Sequence, residues 1–371
     1  MHLSYWEIKE WLDRVDFTVI GSGIVGLNCA LALRKKYPKS KILVLEKGIL
    51  PQGASTKNAG FACFGSVSEL LDDLKEHSEE QVTSLVEKRW TGLRQLRSLL
   101  GDDQIGYRHW GGYELFPQQD QATFEDCREK IPYLNELLFP LFKEDVYSLT
   151  PNKFQFEKTG QEYIFNAFEG QLDTGKMMQS LLQKCVSENI RVLNTVEVKA
   201  VEDLKTSVAV KTNYFEMRSG KVLIATNGFA STLTNEDVKP ARAQVLITKA
   251  IKDLKIKGTF HLDRGYYYFR NIDDRILLGG GRNLDIKGET TTEFANTEQI
   301  QSKLESLLRE VILPQTAFEI DHRWSGIMGV STSKSPVIKP LSDRVFCGVR
   351  LGGMGVAIGT QVGHELASLV D

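Results

Sequence analysis

Cysteine pairs are what this chain most conspicuously lacks. Its five cysteines, Cys29, Cys63, Cys127, Cys185 and Cys347, are scattered, odd in number and never form a CxxC pair. That argues against a metal cluster or a disulfide framework and for a reducing compartment, with each thiol expected as small core filler and no metal site expected. Long hydrophobic runs are missing as well: no stretch of 18 apolar residues exists to span a membrane, and the first residues lack the basic-then-apolar layout of a secretory signal. There is no basic block, and the formal net charge is -2, so attraction to nucleic acid or anionic lipid is not expected. Fixed-period repeats and low-complexity segments are also absent. What remains is a 371-residue chain, 42% hydrophobic, long enough for two domains with a buried core. A soluble, cytoplasmic protein is expected.

The stretch Phe17 to Gly26, FTVIGSGIVG, organises the rest. A short apolar strand breaks into Gly21, Gly23 and Gly26 at the spacing of a dinucleotide-binding turn, where the three glycines permit a tight turn, close backbone approach to a pyrophosphate and close helix packing. The helix predicted from Ile24 to Lys35 would aim its free N–H groups and positive dipole end at that phosphate. Three glycines also occur in plain turns, but the context here is a strand, an apolar helix and a second strand, Lys41 to Leu45, that ends in Glu46. Such an acid, about 25 residues after Gly21, suits a carboxylate on an adenosine ribose. This unit alone does not separate NAD from FAD.

Further along, residues 3 to 15 carry Tyr5, Trp6, Ile8, Trp11, Leu12 and Val15 at helical spacing and predict a short helix docking its aromatic side on the domain. Residues 48 to 65 form a loop rich in small residues, too long for a mere connector. Helices are expected over 67 to 100 and 121 to 142, and short alternating strands over 190 to 215. Lys221 to Ala225 reads as a doubly covered strand ending in Thr226, Asn227 and Gly228. Residues 240 to 334 read as alternating strands around one helix near Thr297 to Val311. Val345 to Val349, the turn Arg350 to Gly355 and a helix to Val370 then repeat the strand, glycine turn, helix logic of the start.

Four pieces together, GSGIVG with Glu46, GASTKNAG at 53–60, VLIATNG at 222–228 and VFCGVRLGGMGVAIG at 345–359, give a set that resembles the FAD-dependent amine and amino-acid oxidoreductases grouped with D-amino-acid oxidase, glycine oxidase and sarcosine oxidase. GQLDTGKMM at 170–178, PARAQV at 240–245, YYYFRNIDDRILLGGG at 266–281 and WSGIMGVSTSKSPVI at 324–338 extend the likeness over nearly the whole chain. The resemblance implies an α/β fold: a discontinuous Rossmann-type FAD-binding domain (1–80, 150–230 and 335–371) with a second α+β substrate domain on an antiparallel sheet (81–149 and 231–334). It implies that Gly21, Ser22, Gly23 and Gly26 hold the pyrophosphate, with Glu46 and Lys47 at the adenosine. Ser55, Thr56, Lys57, Asn58 and Gly60 would line the ribityl and ring end, Val198 the adenine, and Thr226, Asn227 and Gly228 the phosphate region. Gly353, Met354, Gly355 and Val356 would set a helix end against the flavin, where positive potential favours hydride uptake.

The implied reaction is hydride transfer from a small amine or amino acid to flavin, giving an imine that hydrolyses, with oxygen or another acceptor taking the electrons. Tyr267 and Tyr268 are candidate substrate contacts, although both could belong to sheet packing. The chain also departs from its relatives. Met328 stands where D-amino-acid and glycine oxidases carry a carboxylate-binding arginine, Ala357 where sarcosine oxidases carry a lysine, and Leu277 at the position of their oxygen-activating lysine. No counterpart of the flavin-linking cysteine lies near Met328, so FAD is expected to be non-covalent. Arg350, Arg270 or Arg282 could restore a cation, and His109 is a weaker candidate. With those anchors gone, a 2-hydroxy acid or polyol dehydrogenase and a flavin-binding protein without turnover stand as alternatives.

Overall fold

The computed structural model describes residues 2–370. Two eight-stranded sheets carry it. In the first, strands Val345–Val349, Glu216–Ile224, Val15–Ile20, Ile42–Leu45 and Arg191–Leu193 run parallel in that spatial order, and Val337–Pro340 adds an antiparallel edge. Ile42–Leu45 is buried at all four residues and Val345–Val349 at all five. Burial on both faces is why these segments read as continuous apolar runs with no alternation. Helices Ile24–Lys36 and Gly355–Ser368 pack side by side against the sheet, and Gly363 permits the contact, since a Cβ there would meet Val25 O at 2.7 Å. Val198–Asp203 and Val208–Thr212 extend the Glu216–Ile224 strand as an antiparallel flap.

The second sheet runs Ile320–Val330, Lys239–Thr248, Arg275–Gly280, Tyr267–Ile272, Thr259–Leu262, Gly112–Leu115, Glu162–Asn166, Tyr147–Pro151. Every neighbouring pair is antiparallel except Thr259–Leu262 with Gly112–Leu115. One face packs on helix Glu298–Leu307 and an aromatic core in which Phe260 and Phe269 stack at 4.5 Å. The other face looks toward the first sheet. The hairpin 147–166 pairs within this second sheet, whereas helix Glu79–Leu100 packs on Gly355–Ser368 of the first layer through Gly92, whose Cβ would lie 2.2 Å from Ala357 O.

Residues 3 to 15 differ from expectation. They form a helix, Tyr5–Glu7, that widens into a π-type turn, Ile8–Leu12, and in this segment Tyr5, Trp6, Ile8 and Trp11 stay exposed while Leu12 is buried. Cations hold it in place of aromatic burial. Lys41 Nζ donates to Lys9 and Asp13 carbonyls, Arg191 donates to the Glu10 carbonyl, and the Arg191 guanidinium covers Trp11. No helix among the described residues is long and apolar enough to cross a membrane.

Candidate active site

The Val15–Ile20 strand ends at Gly21, which sits at φ +103°, a conformation that disfavours any residue with a Cβ. Gly26 is required for a different reason: a Cβ there would stand 1.9 Å from Gly21 O. Helix Ile24–Lys36 can therefore lie directly on the turn, with Gly23, Ile24 and Val25 presented to a cavity. Glu46 ties the next loop to this turn. Its buried Oε2 accepts from Ser22 N (3.0 Å) and Ser22 Oγ (2.8 Å), and its Oε1 from Gly48 N (2.9 Å).

From there the loop runs under the helix end, where Ser55 Oγ accepts from Ile24 N at 3.0 Å. Asn58 folds the loop on itself, donating to Ala54 and Ser55 carbonyls and accepting from Gly60 N. Trp324 Nε1 reaches across from the second sheet to the Lys57 carbonyl at 2.9 Å. Opposite, Asn227 Oδ1 accepts from both Arg350 N and Leu351 N at 3.1 Å, shaping the turn that opens helix Gly355–Ser368. Two helix N-termini thus converge on one cavity of about 370 Å³. At Gly53, Gly352 and Gly353 an added Cβ would meet nothing within 4 Å, and the buried Thr226 Oγ1 and Arg282 Nε on the wall have no hydrogen-bond partner. Open backbone and unmatched donors of this kind suit an elongated, phosphate-bearing ligand.

Of the residues singled out by sequence, Gly21, Gly23, Glu46, Lys47, Ser55, Lys57, Asn58, Gly60, Val198, Thr226, Asn227, Gly228, Gly353, Met354, Gly355, Val356 and Tyr268 line this cavity. Lys47 lies over the Phe229 ring at 3.4 Å, and burial pushes its pKa down. Ser22 and Gly26 sit behind the wall, and Thr56 Oγ1 is turned to the Pro51 carbonyl.

Strand alternation sorts the remaining candidates. Tyr268 and Arg270 face the first sheet, while Tyr267 and Phe269 point into the aromatic core, so Tyr267 does not reach the cavity. Arg270 lies against Gly60, with Nη2 2.8 Å from where a Cβ would stand, and its Nε is buried without a partner. Burial pushes its pKa down to about 10 against the pull of Asp173 and Asp273. Arg350 is turned away from the site, because its guanidinium donates to the Ser335 (2.9 Å) and Asp237 (3.4 Å) carbonyls. Leu277 is buried with Ala59 and Val245 beside Tyr268, and His109 Nε2 contacts the Ala167 carbonyl at 2.7 Å.

Sequence reasoning missed part of the wall. Arg282 and Met328, both singled out by sequence, line the cavity, but Tyr266, Glu69, Phe61, Cys63 and His261 line it too and were not expected there. His261 Nε2 stands 2.9 Å from Glu169 Oε2, and Cys63, Glu169 and His261 place donor atoms within 4.8 Å of one another, all buried. Desolvation raises the Cys63 thiol well above its ordinary value, which keeps it protonated. The available signal was the segment Thr259–Leu262, a four-residue alternation of polar and apolar side chains after Gly258, whose polar face carries His261.

Known proteins share this architecture. The profile of the FAD dependent oxidoreductase family matches residues 16–369. Among curated relatives, the probable oxidoreductase OrdL of Haemophilus influenzae is 22% identical over 97% of this chain and 83% of its own. The gamma-glutamylputrescine oxidoreductase of Escherichia coli is 21% identical over 96% and 83%. Among solved structures, L-proline dehydrogenase from P. horikoshii (TM-score 0.75, 18% identity, 97% of this chain and 94% of that one) and glycine oxidase from Geobacillus kaustophilus (0.74, 17%, 96% and 94%) share the fold. With the glycine turn, the second helix end and the covering sheet all falling inside the matched span, the chain belongs to the FAD dependent oxidoreductase family.

Proposed function

We propose that this protein oxidises a small amine or amino acid with a non-covalently held FAD. The observation that carries the reading is the convergence of the Ile24 and Gly355 helix ends on one cavity that Tyr268 closes from the second sheet. Gly21 and Gly23 would hold the pyrophosphate, with Ser22 behind them tying the turn to Glu46; Glu46, Lys47 and the Val198 backbone would hold the adenosine, and Asn58, Gly60 and Gly353 to Val356 the ring. When bound, FAD supplies a two-electron, hydride-accepting ring system. This chain's residues supply the surroundings. The Gly355 helix end favours negative charge beside it, Phe61 and Tyr268 exclude water, and the Arg270 guanidinium adds a buried positive charge next to Gly60.

Amine chemistry is supported by the names of the relatives, which include a glycine oxidase, an L-proline dehydrogenase and a gamma-glutamylputrescine oxidoreductase. Cys63 is the cysteine on the wall, and its protonated state supports non-covalent binding. Acid precipitation of the purified protein is expected to release free FAD into the supernatant. An artificial electron acceptor should then be reduced by amines or amino acids and not by 2-hydroxy acids or polyols. Reduction by hydroxy acids alone would replace the amine reading, and tight FAD without any turnover would leave a binding protein.

A further inference from the structure

One stretch of the cavity wall, where Cys63 and His261 meet Glu169 behind them, has no part in holding FAD as proposed above. We propose that these three residues bind a divalent ion of the zinc class, set in the wall with one coordination position open to the cavity. The site goes beyond the amine reading and does not depend on it.

Three segments far apart in the chain bring the donors together. Strands Phe61–Ala62 and Gly170–Gln171 pair antiparallel, Phe61 with Gln171 and Ala62 with Gly170. Continuing that register by one residue sets Cys63 opposite Glu169. His261 arrives from the second sheet, on strand Thr259–Leu262. Its Nε2 lies 2.9 Å from Glu169 Oε2, and one donor atom from each of the three residues falls within 4.8 Å of the others. A tetrahedral zinc with bonds of about 2.0–2.3 Å sets its N, O and S ligands about 3.3–3.7 Å apart. Small side-chain rotations therefore close the set: the histidine and glutamate part by about half an ångström, and the sulfur moves in by no more than about 1.5 Å.

The surroundings hold the donors in place. Thr259 Oγ1 donates to Glu169 Oε2 at 2.8 Å, and Asn166 Nδ2 reaches Oε1 at 3.4 Å. Hydrogen bonds of this kind orient metal-ligating carboxylates. Gly112 leaves the carboxylate its room, since a Cβ there would stand 2.0 Å from Oε2. All three side chains are buried, and Cys63 and His261 line the cavity while Glu169 does not. The set thus has protein on one side and open space on the other, as three-ligand zinc sites do. Met354 Sδ, 3.7 Å from Cys63 Sγ, adds a soft neighbour.

Donor chemistry and local charge choose the ion. Thiolate and imidazole suit zinc, whereas magnesium and calcium take oxygen ligands. Two carboxylates, Glu169 and Glu69, stand with one imidazole on this stretch, and Arg89 is turned to the Phe64 carbonyl, so a cation completes it. Coordination needs a thiolate and a neutral imidazole, so the arriving ion displaces a proton from each. Without the ion, His261 and Glu169 pair with one another, which keeps the buried carboxylate partnered.

The test takes the FAD-loaded protein, strips it with EDTA, titrates it with Zn2+ and measures bound zinc by elemental analysis after gel filtration, with flavin followed by visible absorbance. The wild type should retain a single zinc per chain and no magnesium. Cys63→Ser should weaken zinc by at least about a hundredfold, and Thr259→Val, which keeps all three ligands but removes the hydroxyl from Glu169, by about tenfold. Cd2+ in place of zinc should add a thiolate-to-metal band in the ultraviolet that Cys63→Ser lacks. If Cys63→Ser fails to hold FAD, Thr259→Val and the wild-type cadmium band decide. No retained zinc, equal retention by Cys63→Ser, binding without the cadmium–thiolate band, or equal retention of magnesium would each overturn the proposal. None of these would touch the amine reading, which stands or falls on whether amines reduce the flavin.

Discussion

The two ends of the cavity are made of different material. Where the two helix N-termini meet it the wall is backbone: the Gly21 turn, the Ile24 helix end, Thr226 to Gly228 and the Gly353 turn, with Glu46 accepting from Ser22 and Gly48. At the Tyr268 end the wall is side chains from a sheet, Phe61, His261 and Tyr268, backed by buried charge at Arg270 and Glu169. Backbone can be shaped only by where glycine sits, so Gly21 and Gly26 tolerate almost no change. A sheet face can be repainted one residue at a time, so specificity can change there while the glycine turns stay the same.

Gly26→Ala should break that comparison most severely. With 1.9 Å to Gly21 O, the added methyl must separate strand from helix, costing about 2–4 kcal/mol and nearly all bound FAD, read by chemical denaturation and flavin content. Retained FAD would mean that the backbone end is softer than its geometry. Arg270→Met sharpens the contrast from the side-chain end. Removing a buried cation with an unpartnered Nε should stabilise the apoprotein by about 1–2 kcal/mol. The holoprotein should gain less if the bound cofactor supplies the missing partner, so denaturation with and without FAD separates the two cases. Equal gains would place Arg270 outside the site.

Smaller effects follow within one strand. Tyr268→Phe should raise KM about three- to tenfold for the preferred substrate, while Tyr267→Phe, on the core face, should leave KM unchanged. Arg350→Ala should do least, shifting stability within about 0.5 kcal/mol and leaving steady-state constants alone, since its guanidinium reaches the Ser335 and Asp237 carbonyls on an exposed edge.

These contrasts also explain what was legible in the sequence. The glycine turns are local: spacing within ten residues encodes Gly21 to Gly26, and the strand Val345–Val349 is found at its expected bounds. The sheet face is not local. Glu169, His261 and Tyr268 come from a loop and two strands, and their meeting depends on a parallel pairing between Thr259–Leu262 and Gly112–Leu115 that no short pattern announces. Strand period explains why one of two adjacent tyrosines reaches the cavity, but the sequence does not say which face is which until the aromatic core of Phe260 and Phe269 is known. The helix at residues 5 to 12 failed differently. Its apolar spacing is real, yet Lys41 and Arg191 bind its carbonyls and leave its aromatic residues outside.

The most direct measurement is an anaerobic visible spectrum of the purified protein, titrated with amines, amino acids and 2-hydroxy acids and then opened to air. The account predicts a bound flavin bleached by amines or amino acids, with the speed of recolouring separating oxygen from another acceptor. A flavin bleached only by hydroxy acids, or left coloured by every donor, would contradict it.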